Sequence, residues 1–165
     1  MSDPLALLPL AVAAGGGRID GLEASQLVAA GLTLLGRSAP LVRALSGRRA
    51  AILLPTSARY LTALAACEGR GAVLINPLAA PLEIAHQIHE TDVGAVFTIG
   101  ALTGRLPDDL PRVLLDDAPR RAQIVAGSET RDVDLGSHFG MDLAGDPDVE
   151  GRDEEAAIIY TSAMR

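Results

Sequence analysis

Lysine is missing from this chain. All 14 basic residues of its 165 are arginine, so no step that needs a lysine, such as a Schiff base or a phosphate-binding ammonium, can come from these residues. Cysteine is nearly missing too. Cys67 stands alone, which excludes an internal disulfide and fits a reducing compartment, so a cytoplasmic location is expected. Aromatic residues are reduced to Tyr60, Phe97, Phe139 and Tyr160, and the core must therefore be aliphatic. Positive charge is outweighed, 14 basic against 21 acidic residues for a net charge of −7. That sign opposes a sequence-independent grip on nucleic acid or anionic lipid, and no nucleic-acid partner is expected. Long apolar runs are lacking as well. Leu5 to Ala14 falls well short of the roughly 20 residues a membrane span requires. Pro9 interrupts it, Asp3 precedes it, and no positive segment leads in, so it reads as a short N-terminal helix rather than a signal peptide or a span.

What is there describes a globular domain. Hydrophobic residues make up 48% and mean hydropathy is +0.27, and a chain this long buries about 68–70% of its unfolded surface on folding. Gly15-Gly16-Gly17 follows no strand and fits neither G-x-G-x-x-G nor G-x-x-x-x-G-K-[ST], so it reads as a flexible connector.

Residues 24–46 place Leu27, Gly31, Leu34, Leu35, Ser38, Leu41, Val42 and Leu45 at spacings of three and four, one face of a helix. Pro40 must kink or split that helix near Arg37 to Ala39. Ala50 to Leu54, closed by Pro55, is a continuous apolar run, as expected for a strand buried on both faces of a parallel sheet. Thr56 and Ser57 are good N-caps for the next helix, whose inner stripe is expected to be Tyr60, Leu61, Leu64, Ala65 and Cys67. A second strand, Ala72 to Ile75, ends at Asn76-Pro77. Pro81 suits the first turn of another helix, with Glu83 near its positive end and Ile84, Ala85 and Ile88 facing inward. Val93 to Ile99 and Arg112 to Leu115 supply two more strands. Strand and helix alternating at short spacing predict an α/β fold, a doubly wound, mostly parallel sheet with flanking helices and right-handed crossovers.

Beyond residue 116 the pattern weakens. Ala122 to Ala126 fits a strand or a helix end. Residues 127–152, with five glycines and seven acidic residues, read as a long surface loop. Order returns at Asp153-Glu-Glu-Ala-Ala-Ile-Ile-Tyr-Thr-Ser-Ala-Met-Arg165. A short apolar run followed by hydroxyl residues reads as a buried strand delivering a polar loop at its C-terminal end, where open α/β sheets bind ligands.

That last stretch resembles the phosphate-loop signature of the acyl-adenylate-forming (AMP-binding) superfamily, which includes the acid–CoA ligases. In the family an acidic-apolar lead runs into Tyr-Thr-Ser-Gly-Thr-Thr-Gly and then Pro-Lys-Gly. The lead here matches through Tyr160, as do Thr161 and Ser162. Three upstream segments resemble the same family in the same order. They are Gly47-Arg-Arg-Ala-Ala-Ile-Leu-Leu-Pro-Thr-Ser57, Gly71-Ala-Val-Leu-Ile-Asn-Pro77 and Thr91-Asp-Val-Gly-Ala-Val-Phe-Thr98.

The resemblance covers residues 25–165 and implies an incomplete, N-terminal part of an adenylate-forming domain, with residues 1–24 as an N-terminal helix and connector. It implies ATP, Mg²⁺ and CoA for the complete enzyme and a carboxylic acid as substrate. The acid would be activated as an acyl adenylate and then passed to a thiol. Thr161, Ser162 and Ala163 are the nucleotide-binding positions it indicates. Ala163 stands where the family has Gly, and Met164 and Arg165 where it has Thr. A Cβ in a left-handed turn costs roughly 1–2 kcal/mol. The expectation is that these 165 residues alone do not catalyse. The alternative is a non-catalytic α/β binding or interaction module, a degenerate relative with an altered loop. An incomplete sheet would expose an edge, so self-association is expected.

Other constellations are weaker. Glu83, His86, His89 and Glu90 share a helix, but two histidines on one exposed turn more often form a solvated face than a metal site. Asp146 to Gly151 imitates the start of a calcium loop, yet position 12 would be Ala157. No G-x-S-x-G elbow occurs. Cys67 reads as core, and Asp116-Asp117 as a turn.

Overall fold

A computed structural model of the chain describes residues 16–37, 39–67, 71–136 and 157–159. It opens with a two-stranded hairpin, β1 (Arg18–Ile19) and β2 (Leu22–Glu23). The turn is Asp20-Gly21, both at positive φ (53° and 79°), the pairing that a two-residue turn of this hand requires. This hairpin falls where a plain connector was expected.

Helix α1 (Ala24–Arg37) and helix α2 (Ala39–Ala44) follow. The break between them falls where Pro40 demands it, because proline clashes with the turn before it. Gly47, at φ 68°, lets the chain reverse into β3 (Arg49–Ile52). From there strands and helices alternate through α3 (Ala58–Ala66), β4 (Ala72–Leu74), α4 (Pro81–Glu90) and β5 (Val93–Thr98). A 3₁₀ segment (Gly100–Arg105) leads to β6 (Arg112–Leu115). The hairpin β7 (Arg121–Ala126) and β8 (Glu129–Asp134), then β9 (Ala157–Ile159), complete the described elements.

The strands from β3 onward form one sheet in the order β8-β7-β6-β5-β3-β4-β9. Pairing is parallel for β6-β5, β5-β3, β3-β4 and β4-β9, and antiparallel for β6-β7 and β7-β8. The fold is therefore α/β with a mostly parallel sheet, as the alternation predicts.

Side chains from β3 alternate between two cores. Ala50, Ile52 and Leu54 enter one with Leu34, Leu41, Ala63, Cys67 and Phe97. Ala51 and Leu53 enter the other with Val73, Ile84, Ile88, Leu106 and Leu110. So α1 to α3 cover one face, and α4 with the 3₁₀ segment covers the opposite one. This is the doubly wound arrangement. The chain moves from β3 outward to β4, then back past β3 to β5. Crossovers of constant hand then place the two helices on opposite faces.

Three expectations are corrected. The stretch 127–152 is not one loop, because Glu129–Asp134 is strand β8. Only Val133 of that strand is buried, so no hydrophobic alternation marked it, and Gly127 at φ 62° makes the tight turn into it. The inner stripe of α3 is not the bulky set. Ala58, Thr62, Ala63, Ala65 and Ala66 are buried, while Tyr60 and Leu64 pack at the core margin. The reason is the close approach of α1. A Cβ on Gly31 would lie 2.3 Å from the Thr62 carbonyl oxygen, so only small residues fit between the helices. On α4, Ile84 and Ile88 face inward as expected, but the third buried residue is Gln87, and Ala85 is half-buried. The N-terminal helix expected over residues 4–14 and the imitation calcium loop lie outside the described residues.

Candidate functional site at the C-terminal rim of the sheet

Five parallel strands, β3, β4, β5, β6 and β9, end on the same rim. The connection leaving β3 runs over one face of the sheet and that leaving its neighbour β5 runs over the other. Between them lies a topological switch point, the place where open α/β sheets form a ligand crevice. Thr98, fully buried at the end of β5, donates its Oγ1 hydrogen to the Leu53 carbonyl at 3.1 Å. That bond ties the two strand exits on either side of the switch point.

The other exits are tied as well. Helix α3 begins on the rim, and Ser57, although placed as its N-cap, makes no capping bond. Its hydroxyl donates instead to the Pro55 carbonyl at 3.1 Å. The cap comes from elsewhere: the Ala58 N–H donates to Asp20 Oδ2 at 2.8 Å. This satisfies one of the four orphan donors of a helix start and sets a negative charge at the positive end of the helix. Arg59 Nε donates to the Asp116 carbonyl at 2.8 Å, and its guanidinium pairs with Asp117. Asp116 Oδ1 accepts from the Arg120 and Arg121 N–H groups at 2.8 and 3.3 Å. Asp116-Asp117 is thus a turn braced from α3, as its residues suggested. Beyond β4, Asn76 Oδ1 accepts from the Leu78 N–H at 2.9 Å, and Arg105 Nη1 donates to the carbonyls of Pro77 and Ala79 at 2.8 and 3.2 Å. Side chains donating to backbone carbonyls therefore hold the exits of β3, β4 and β6.

Strand β9 pairs in parallel with β4, Leu74 opposite Ile159, so its C-terminal end points to this rim. Thr161, Ser162 and Ala163, the positions expected to hold a nucleotide, lie outside the described residues. The structure follows their strand to Ile159, two residues before Thr161.

The rival clusters fall elsewhere. His86 and His89 are exposed on the outer side of α4, and His86 Nε2 lies 3.6 Å from Glu90 Oε2. Glu83 accepts from Gln87 Nε2 at 3.4 Å. No group of three or more metal-ligating side chains occurs among the described residues. Cys67 is fully buried and forms no disulfide, in keeping with a core role. No helix among the described residues is long and apolar enough to cross a membrane. Tyr60, half-buried, has its pKa raised above 10.0 by burial and, to a lesser degree, by Cys67.

Sequence reasoning missed Asp20, Arg59 and Arg105 as rim residues. Only Asp20 left a local sign, since Asp-Gly is a strong turn signal. The two arginines act over separations of 57 and 28 residues, which no local pattern reveals.

No protein-family profile matches the chain, and no curated protein matches it by sequence. Solved structures do match. A Mycobacterium tuberculosis fatty acyl CoA synthetase superposes with a TM-score of 0.58 at 17% identity, over 96% of this chain and 32% of that one. The N-terminal domain of FACL13 from Mycobacterium tuberculosis gives 0.60 at 18%, over 98% of this chain and 42% of that one. Apo MatB from Rhodopseudomonas palustris gives 0.59 at 17%, over 100% of this chain and 33% of that one. The chain thus spans between a third and two fifths of the length of these matches. At such identities the shared property is the fold, and the fold is that of the N-terminal domain of acid–CoA ligases.

Proposed function

We propose that this chain is the N-terminal part of an ATP-dependent, acyl-adenylate-forming acid–CoA ligase, with residues 25–165 as its share of the adenylate-forming domain. One observation carries the reading. Strand β9 lies parallel beside β4, and Ile159, its last residue, ends at the rim where doubly wound sheets hold ligands. The ligase-type fold and the order of the sequence segments support it.

In this reading the hydroxyls of Thr161 and Ser162, with the backbone N–H groups around Ala163, donate to phosphate oxygens of ATP. Hydroxyls and N–H groups in a tight loop make an anion nest, and charge that grows during phosphoryl transfer is stabilised by preset dipoles. Among the described residues no three His, Cys, Asp or Glu side chains come together as a ligand set for Mg²⁺. The carboxylic acid and CoA belong to the complete enzyme, and a cytoplasmic location agrees with the single cysteine.

Titration calorimetry with ATP and Mg²⁺, alongside acid-dependent ATP–pyrophosphate exchange, tests this. A form extended downstream binds nucleotide and gives acid-dependent exchange, while the 165 residues alone give no exchange. Measurable exchange by the 165 residues would overturn the incompleteness. Absence of nucleotide binding by the extended form would favour the second reading, a non-catalytic relative, for which the replacement of Gly-Thr-Thr by Ala163-Met164-Arg165 is the specific support.

A further inference from the structure

We propose that Arg105 is a positioning residue for the nucleotide rim, an inference that rests on the ligase reading above. Three observations lead to it. Arg105 ends the 3₁₀ segment after β5, yet its guanidinium reaches the loop after β4 and takes two carbonyls there, Pro77 and Ala79. Within that loop Leu78 N–H donates to Asn76 Oδ1 and Ala79 N–H to the Asn76 carbonyl at 3.0 Å, and at its start Ile75 N–H donates to the Ile52 carbonyl at 3.0 Å. No carboxylate pairs with Arg105 among the described residues. Arg18, Arg48 and Arg59, by contrast, each have an acidic partner. Arg105 Nη1 is thus directed at backbone carbonyls, and a charge-assisted bond of that kind is about twice as strong as a neutral one.

The loop so held is no ordinary surface turn. Strand β4 pairs with β3 on one side and with β9 on the other, so the exit of β4 is the wall beside the exit of β9. A guanidinium that fixes Pro77 and Ala79 fixes that wall. Its anchor, the segment after β5, lies on the far side of β3 in the sheet. Arg105 therefore links the segment after β5 to the exit of β4, two strands that lie on either side of β3. Nucleotide loops need this because a misplacement of about 1 Å costs large factors in rate.

Hydrogen exchange on the 165-residue chain decides the matter. Arg105→Met keeps the apolar stem and removes the donors, and Arg105→Lys restores a cation with donors of its own. In Arg105→Met the amides of Leu78 and Ala79 exchange at least about tenfold faster, and those of β9 about threefold faster, while Leu53 and Val96 in the central strands stay unchanged. Arg105→Lys recovers a good part of the protection. Unchanged exchange at Leu78 and Ala79 would overturn the proposal. So would a change confined to those two with β9 unmoved, since that describes a local brace and nothing more. Titration of a form extended downstream with ATP and Mg²⁺ makes a separate arm, in which Arg105→Met weakens binding about fivefold. If that extended form binds no ATP, the ligase reading fails, while the exchange arm still decides the role of Arg105. If Arg105→Met does not fold, Arg105→Gln, which removes the charge and keeps a polar head, serves in its place, with faster exchange at the same amides as the expected result.

Discussion

The carboxylate of Asp20 accepts the Ala58 N–H at 2.8 Å, joining the tip of the first hairpin to the start of a helix 38 residues later. Removing that acceptor leaves a helix start uncapped. Asp20→Ala is expected to lower stability by about 1 kcal/mol, read as a shift of the urea midpoint. It also puts a Cβ-bearing residue without a helpful side chain at φ 53°, where Asp and Asn are better tolerated. Asp20→Asn keeps an oxygen acceptor and the backbone preference, and should retain most of the stability. Equal losses in the two variants would show that charge at the helix end, rather than the hydrogen bond, is what matters.

Gly31 sets the distance between α1 and α3. A Cβ there would lie 2.3 Å from the Thr62 carbonyl oxygen, 2.7 Å from the Ala65 Cβ and 2.9 Å from the Ala66 nitrogen. Two of those three atoms are backbone and cannot swing aside. Alanine is the better helix former by about 1 kcal/mol, but overpacking a tight core costs about 1–3 kcal/mol. Gly31→Ala should therefore destabilise on balance. Gly100→Ala, where the added Cβ meets nothing within 4 Å, is the control and should shift the midpoint little.

These contacts show where sequence reasoning succeeds and where it stops. The runs Ala50 to Leu54 and Val93 to Thr98 were legible as inner strands because both faces of a parallel sheet are buried and the pattern has no gaps. Strand β8 was not, because Glu129, Thr130, Arg131, Asp132 and Asp134 are exposed around one buried Val133. A solvated edge strand looks like a loop. Ser57 had the right chemistry for a cap, but the Pro55 carbonyl took its hydroxyl and a distant aspartate did the capping. Small residues on α3 concealed its inner face, since burial there follows the approach of α1 rather than side-chain size. As for the site, the strand that precedes Thr161 and Ser162 and the strand β4 were each legible from their apolar runs, but their pairing was not, because pairing across 85 positions, Ala72 with Ala157, leaves no local trace.

Alkaline pH tests the phenol of Tyr60. Burial first and Cys67 second raise the pKa of Tyr60 above 10.0, so the folded state holds the phenol proton more tightly than the unfolded chain does. The linked stability is fully present below pH 10 and is lost as pH rises from there through the folded value. A chain without lysine has no ammonium groups titrating in that range, which leaves the tyrosine effect unusually clear. Urea midpoints at pH 9 and pH 11 should differ, and Tyr60→Phe should shrink the difference. An unaltered difference in the variant would assign the alkaline loss to another group.

The two sheet edges differ in kind, and the difference predicts association. At one edge β8 presents Glu129, Arg131, Asp132 and Asp134, all exposed, the sort of charged guard that keeps an edge from recruiting another strand. At the other, β9 is Ala157-Ile158-Ile159, without charge, and Ile159 is 67% exposed. Leu78 and Leu82, each 85% exposed, follow the neighbouring strand β4. Among the described strands none pairs beyond β9, and an uncharged edge strand with apolar side chains nearby is a template for pairing. The chain alone is therefore expected to self-associate with rising concentration, seen as a growing mass in light scattering after size exclusion. Ile159→Lys places on β9 the guard that β8 already carries and should hold the protein monomeric over the same range. A monomeric parent chain would show that the β9 edge is not sticky by itself, and equal association in both proteins would move the contact elsewhere.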